Sequence, residues 1–572
     1  MARPPVSLRA LAAARGDEPA DLLLRGGRIL APATREWVRA DLAIADGVVV
    51  GWGHREAREV IDVDGAALAP GFVDAHMHLE SSKMWISEYV KAVLPCGTTA
   101  VAADPHEIAN VAGIEGIQAL IEAAEKMPFT FGVAASSCVP ESPFASAGAA
   151  FTVNEVRYLI EEFGAIGVAE VMNYPAVING DPMFREIIAA AKWRKVDGHA
   201  PGLRGRQLDA YLAAGIESDH ECFELDEAHE KRQKGMWVFL RQGSVCQDLV
   251  KLLPTVLNHG PTATSFCTDD REPDLLRDEG HINHCIRLAV EAGLNEIDAL
   301  TIGSYYPAMY HNFFHLGSLG PGYQADVAVF DTLEGFRPSM VLQRGRVVAR
   351  DGLILPDIVP PTTPPKSLYN RVNLHHLPTP AELTITPPPT GMANVIGVRS
   401  GSVRTTALQL NVNDATIDIA RIAVVERHKA TGRIGLGYVS GYGMKRGAIA
   451  STVAHDAHNI MVVGARDESG PRDMALAIAR VAEIGGGQVV VVDGKIIAEL
   501  PLPVCGLISD QPLEIVAAQV DTVVKAAHSI GITLIAPFMS LSFLGLSVIP
   551  DLRITDLGLI DVNLFERIEV NI

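Results

Sequence analysis

The hydrophobic pattern changes character along the chain. Residues 21–70 read as short strands, DLLLRGGRIL, ADLAIADGVVVGWG and REVIDVDGAALAP, alternating or β-branched, with Gly and Asp turns between them. The pattern returns at 325–356, in ADVAVFDTL and PSMVLQRGRVVARDGLIL. Two strand-rich pieces around a long middle predict a split β domain, a small β-sandwich built from residues 1–70 and 316–356. The turn GSLGPG (317–322) marks the re-entry.

The middle, 71–315, alternates between two periods. Strand-like runs are GFVDAHMHLE, TTAVAADPH, FTFGVAASSC, AIGVAEVMNY, KVDGHAPG, GIESDHECF, MWVFLRQGS and TSFCTDD. Helix-like runs such as ISEYVKAVLP, VAGIEGIQALIEAAEKM and VNEVRYLIEEFG lie between them. Strands separated by helices over this length predict an α/β fold, a (β/α)8 barrel that carries the catalysis. Residues 357–390 are rich in proline and predict a linker or an extended wrapping segment. Residues 391–572 again mix strands (IARIAVVERH, NIMVVGA) with helices (PRDMALAIARVAEIG) and predict a separate C-terminal α/β domain.

Composition narrows the class of partner. Acidic residues outnumber basic ones, 68 to 48, for a formal charge of -20. That argues against nucleic acid or an anionic membrane as partner, because both need a basic surface. The seven cysteines form no CxxC pair, which fits a reducing, cytoplasmic setting. The opening segment is broken by Arg9, Arg15 and Asp17 and makes a poor signal peptide. No uncharged apolar run reaches the roughly 18–20 residues of a membrane span. The nearest, LIAPFMSLSFLGLSVIP (534–550), reads as buried core.

In a barrel, chemistry gathers at the C-terminal ends of the strands. There the sequence places Asp74, His76, His78 and Glu80 on strand one and Asp104, His106 and Glu107 on strand two. Strand four carries Glu170, strand five His199, strand six His220, and strand eight Asp269 and Asp270. Residues i and i+2 of a strand share a face, so His76 and His78 can grip one ion. Imidazole and carboxylate suit Zn, Mn or Fe(II), and a carboxylate can bridge two ions. A lone HxH is weak; its company at the other strand ends makes a two-metal hydrolytic site the expectation. Asp74 is expected to support a histidine ring. His281, His284, His311 and His315 follow the last strand in apolar helical context and read as core or surface residues. The cluster His455, Asp456, His458 and Asn459 leaves two readings open. It is either a loop over the barrel mouth or a hydrogen-bonded turn or subunit contact of its own domain.

PGFVDAHMHLESS with ADPHEIANV (103–111), CTDDR (267–271) and VAHDAHNI (453–460) resembles the amidohydrolase superfamily, and within it the adenine deaminase branch. The resemblance covers nearly the whole chain. It implies that His76 and His78 bind the more buried metal, that His199 and His220 bind the other, and that Glu170 bridges both. Many relatives use a carboxylated lysine there, but Lys192 and Lys195 fall outside the strand end. Asp269 becomes a ligand and proton shuttle, with Asp270 the alternative. Glu80, Asp104, His106, Glu107, Asp270, His455 and His458 are implied as substrate contacts; Glu80, His106 and Glu107 are candidates to protonate the purine ring. The implied cofactors are two divalent transition-metal ions, Mn or Fe, with Zn allowed. The implied reaction is hydrolytic deamination of adenine to hypoxanthine and ammonia by a metal-activated hydroxide, in purine salvage. A homodimer or higher homo-oligomer is expected. A cyclic amidase and a non-catalytic scaffold are the competing readings. A cytidine-deaminase type of zinc site is excluded, because Cys96 follows a proline but has no cysteine three residues on.

Overall fold

A computed structural model describes residues 5–572; Met1–Pro4, part of the expected 1–70 segment, lie outside the described residues. The chain is mixed α/β. Strands β1 (Ala20–Ala31), β2 (Glu36–Ala45), β3 (Val48–Trp52), β4 (Ala57–Asp62) and β5 (Ala67–Pro70) begin one sheet. The long β1 pairs with β2 along one edge and with β4 and then β5 along the other. Its ladder to β2 shifts register between Leu24 and Gly27, a bulge that bends the strand.

Eight short strands follow: β6 (Phe72–Met77), β7 (Thr98–Ala103), β8 (Thr130–Val133), β9 (Gly167–Val171), β10 (Lys195–Gly198), β11 (Ser218–Asp219), β12 (Trp237–Arg241) and β13 (Thr264–Cys267). Parallel ladders join β6 to β7 to β8, β9 to β10, and β11 to β12 to β13. Backbone hydrogen bonds supply the remaining links. Ala135 N donates to Gly167 O at 2.9 Å, Glu217 N to Val196 O at 3.0 Å, and Asp269 N to His76 O at 3.0 Å. Every residue of β6, β7 and β9 is buried, as parallel strands covered on both faces require. Gly71 admits β6 to this packing. A Cβ there would stand 2.2 Å from Thr99 Oγ1.

β7 stops at Ala103, earlier than the sequence pattern predicts. His106 and Glu107 open the helix His106–Ala124 rather than end a strand. Pro105 is the cause: it lacks the N–H a central strand needs, and it is tolerated where a helix begins.

The chain then returns to the first sheet as β14 (Val327–Phe330), β15 (Met340–Gln343), β16 (Arg346–Arg350) and β17 (Leu353–Ile354). β14 pairs antiparallel with β5, so the two ends of the long insertion meet side by side. The expected sandwich is therefore one continuous nine-stranded sheet, because β5 sits between β1 and β14 and joins what would be two layers. It curls on itself: Leu24, Ile44, Leu68, Val327 and Leu342, from both ends, share one core.

Residues 357–390 pack along a seam rather than float. Trp85 Nε1 donates to Thr362 Oγ1 at 3.1 Å, Arg371 pairs with Glu115 at 2.6 Å, and Cys505 N donates to Leu368 O at 2.7 Å. Beyond them, an eight-stranded sheet spans residues 392–501. Successive residues along its strands face opposite cores. Val425, Val462 and Val491 meet the helix Gly470–Glu483, while Val424, Val463 and Val490 share a core with the helix Leu513–Ser529 and with Tyr89, Ile108 and Leu120 beside the eight parallel strands. Among the described residues no helix is long and apolar enough to cross a membrane.

Candidate metal centre

The parallel strands end at one mouth, and the side chains flagged from sequence converge there. His78 lies just past β6. Its Nδ1 hydrogen-bonds Asp104 O at 2.9 Å, which fixes the ring and turns Nε2 inward. That Nε2 lies 3.3 Å from Glu170 Oε1 and 3.1 Å from Asp269 Oδ1. His76 Nε2 lies 3.7 Å from each of the same oxygens. On the opposite side, His199 Nδ1 is 2.6 Å and His220 Nε2 3.2 Å from Glu170 Oε2. Glu170 thus divides its oxygens between two histidine pairs. The His76 and His220 rings stack at 4.0 Å between centroids.

All six groups are buried. Burial opposes ionisation of Glu170, but His199 and His220 beside it hold the carboxyl well below the usual range. Burial likewise opposes the Asp269 carboxylate, and Arg241 together with His78 holds it ionised. Asp269 adopts positive φ, 56°, in the left-handed region. There its backbone donates to His76 O and accepts from His78 N, on either side of Met77, while its side chain enters the cluster.

The donor set fits a cation. His76 Nε2 is buried without a hydrogen-bond partner. Ring nitrogens and carboxylate oxygens face one another with few hydrogens to share, and a metal ion satisfies such a set.

The remaining flagged residues take other places. Asp270 accepts a hydrogen bond from Ser81 Oγ and lies 3.8 Å from His455 Nε2, on the pocket side rather than among the histidines. Asp104 orients His106, with Oδ2 2.9 Å from its Nδ1. Glu80 accepts from Ile108 N at 2.8 Å and does not line the cavity. Burial and the nearby Glu107 push its carboxyl up to about 7. Asp74 accepts from Thr268 Oγ1 at 2.5 Å and faces His281 Nε2 at 3.1 Å, so it ties β6 to β13 instead of propping a ring of the cluster. His311 donates from Nε2 to Ala75 O at 2.7 Å inside the core.

The C-terminal cluster reaches the mouth. His455 Nδ1 and His458 Nε2 bond the two oxygens of Glu107, and His106 Nε2 faces Asp456 Oδ1 at 3.5 Å. Glu107, His455 and His458 are close enough to hold a third ion. Their hydrogen bonds argue otherwise. His458 Nδ1 accepts from Ala454 N at 3.0 Å, so the ring proton sits on Nε2 and is donated to Glu107. The triad is a clamp on a carboxylate.

Sequence reasoning missed Arg241 and Glu221. Arg241 Nη1 lies 2.6 Å from Asp269 Oδ2 and also bonds Glu221. Both carry a readable signal: Glu221 directly follows His220, and Arg241 ends the apolar run MWVFL at a strand terminus. It also missed the apolar roof, where Val403, Phe543, Leu546 and Ile549 cover the cluster. The space between roof and cluster is about 20 Å³, room for about one water.

Residues 67–354 match the amidohydrolase family and residues 399–566 the adenine deaminase C-terminal domain. The chain is 42% identical to an adenine deaminase of Methanothrix thermoacetophila, over 98% of both chains. It is 42% identical to one of Desulfatibacillum aliphaticivorans, over 98% of this chain and 99% of the other. An adenine deaminase 2 of Carboxydothermus hydrogenoformans is 39% identical over 98% of each. With family matches on both halves and relatives aligned from end to end, the chain belongs to the adenine deaminase family of amidohydrolases.

Proposed function

We propose that the protein deaminates adenine hydrolytically, giving hypoxanthine and ammonia, on a (β/α)8 barrel whose mouth holds two divalent ions. The family implies a divalent metal, and the division of Glu170 between two histidine pairs is the observation that carries the two-ion reading. His76, His78 and Asp269 would hold one ion, His199 and His220 would hold the other, and Glu170, which faces both pairs, would serve both. Mn or Fe suits this nitrogen and oxygen set, and Zn is allowed. When bound, the ions supply a strong nucleophile from water at neutral pH.

The chain's own groups do the rest. Asp269 turns Oδ1 to the histidines and Oδ2 to Arg241, and this ionised carboxylate at the centre takes a proton from the attacking water. It then delivers that proton to the amino group leaving C6, acting first as base and then as acid. His106 and Glu107 line the cavity, and one of them serves the purine ring nitrogen. Asp270, His455 and Asp456 supply polar edges around the purine, and Val403, Phe543 and Ile549 cover it.

The reading is tested with the full chain loaded separately with Mn, Fe and Zn, by ammonia release from adenine and other aminopurines and by ring opening of cyclic amides followed by chromatography. Adenine should be the preferred substrate. Turnover of dihydroorotate or a hydantoin without adenine would favour a cyclic amidase, and no turnover with no stoichiometric metal would favour a scaffold. A homodimer or higher assembly, without nucleic-acid or membrane partners and working in the cytoplasm, completes the proposal; light scattering checks the assembly.

A further inference from the structure

Arg553 is fully buried, yet its guanidinium makes four hydrogen bonds and all go to backbone carbonyls. Nε donates to Ile549 O at 2.6 Å and Nη1 to Phe543 O at 3.0 Å. Nη2 donates to Val403 O at 2.6 Å and to Pro550 O at 3.1 Å. None of the four is a carboxylate. A buried charge whose hydrogen bonds all go to carbonyls is costly even with the Asp551 carboxylate near enough to favour it, and an apolar side chain would fill the same space more cheaply. Burial pulls the group down to about 9, so it is still charged at neutral pH.

The carbonyls it gathers are not arbitrary. Val403, Phe543 and Ile549 are three of the apolar residues that roof the metal pocket, and they come from two separate stretches of chain. The Phe543 ring stacks on His455 at 4.7 Å with 14° between planes, and His455 holds Glu107. One guanidinium therefore fixes the roof and, through the stack, a polar group of the pocket wall. The space beneath the roof is about 20 Å³.

We propose that Arg553 is a positioning residue for substrate binding, which pins Val403, Phe543 and Ile549 as the closed roof over the metal centre. The substrate part of this rests on the reading of the pocket as an adenine site; the roof part does not. Arg553 touches no residue of the metal cluster, so its loss should leave the ions in place while weakening closure.

The test uses the full chain loaded with Mn and the variant Arg553→Lys, which keeps the charge but cannot reach all four carbonyls. Three quantities are read: metal content as purified, the rate at which dipicolinate strips the metal, and the KM and kcat for adenine. Loss of one or two net hydrogen bonds should speed stripping and raise KM, each about tenfold. Metal content should be unchanged and kcat should stay within about threefold. Phe543→Leu, which leaves the arginine alone, should move stripping and KM in the same direction. It keeps the proposal testable if the arginine variant does not fold. Stripping and KM both unchanged, or kcat falling at constant KM, would overturn the assignment. If the parent protein fails to deaminate adenine while Arg553→Lys still loses metal faster, the substrate reading fails and the roof assignment stands.

Discussion

Glu170 is the side chain that the four histidines of the centre have in common. Glu170→Gln removes the charge and keeps the shape. It should lower metal affinity by more than about a hundredfold and abolish turnover, read by metal analysis and ammonia release. Normal metal and rate in this variant would sink the bridging role. Asp269→Asn should retain much of the metal but lose about 10² to 10⁴ in rate, the span of general acid–base catalysis. If Asp270→Asn shows this loss instead, the two aspartates exchange roles. His76 and His78 were legible from sequence because a strand's period of two puts them on one face. Arg241 was not singled out, since its meaning lies in Asp269 and Glu221, which reach it from other strands.

At the scale of elements, β7 (TTAVAA) and the WVFL of β12 announce themselves by continuous apolar or β-branched residues, while β6 and β9 interrupt theirs with Asp74, His76 and Glu170. β11 is only Ser218–Asp219, and its polar letters hide it except by its neighbours. The segment 534–550 was legible as buried core, but apolar letters do not say whether they face protein or a pocket. The loop 453–460 is the element whose role most needed the structure, because its contacts with Glu107 span more than three hundred residues. His458→Gln removes one arm of that clamp. We expect normal metal content with kcat/KM for adenine lower by about 10- to 100-fold. An unchanged kcat/KM would reduce the loop to packing.

Across the whole molecule, one hydrophobic core includes Tyr89, Ile108 and Leu120 beside the strands that carry the histidine cluster and Val463, Val504 and Val520 of the C-terminal region. A chain cut after residue 390 would expose that shared core and lose the roof. It should be insoluble or aggregated, checked by expression and gel filtration against the full chain. A soluble fragment with a cooperative melt would show that the core divides.

The pairing of β5 with β14 has a consequence in time. Pro70 and Val327 are register partners, so β5 waits for about 250 residues of chain before its second neighbour exists. At ordinary synthesis speeds that is roughly 12 to 50 seconds on the ribosome. For that interval the nascent protein carries an open strand edge, the kind of surface on which growing chains adhere to one another. β5 is built to survive the wait: it is only four residues long, ALAP, too short an edge for another chain to pair with stably.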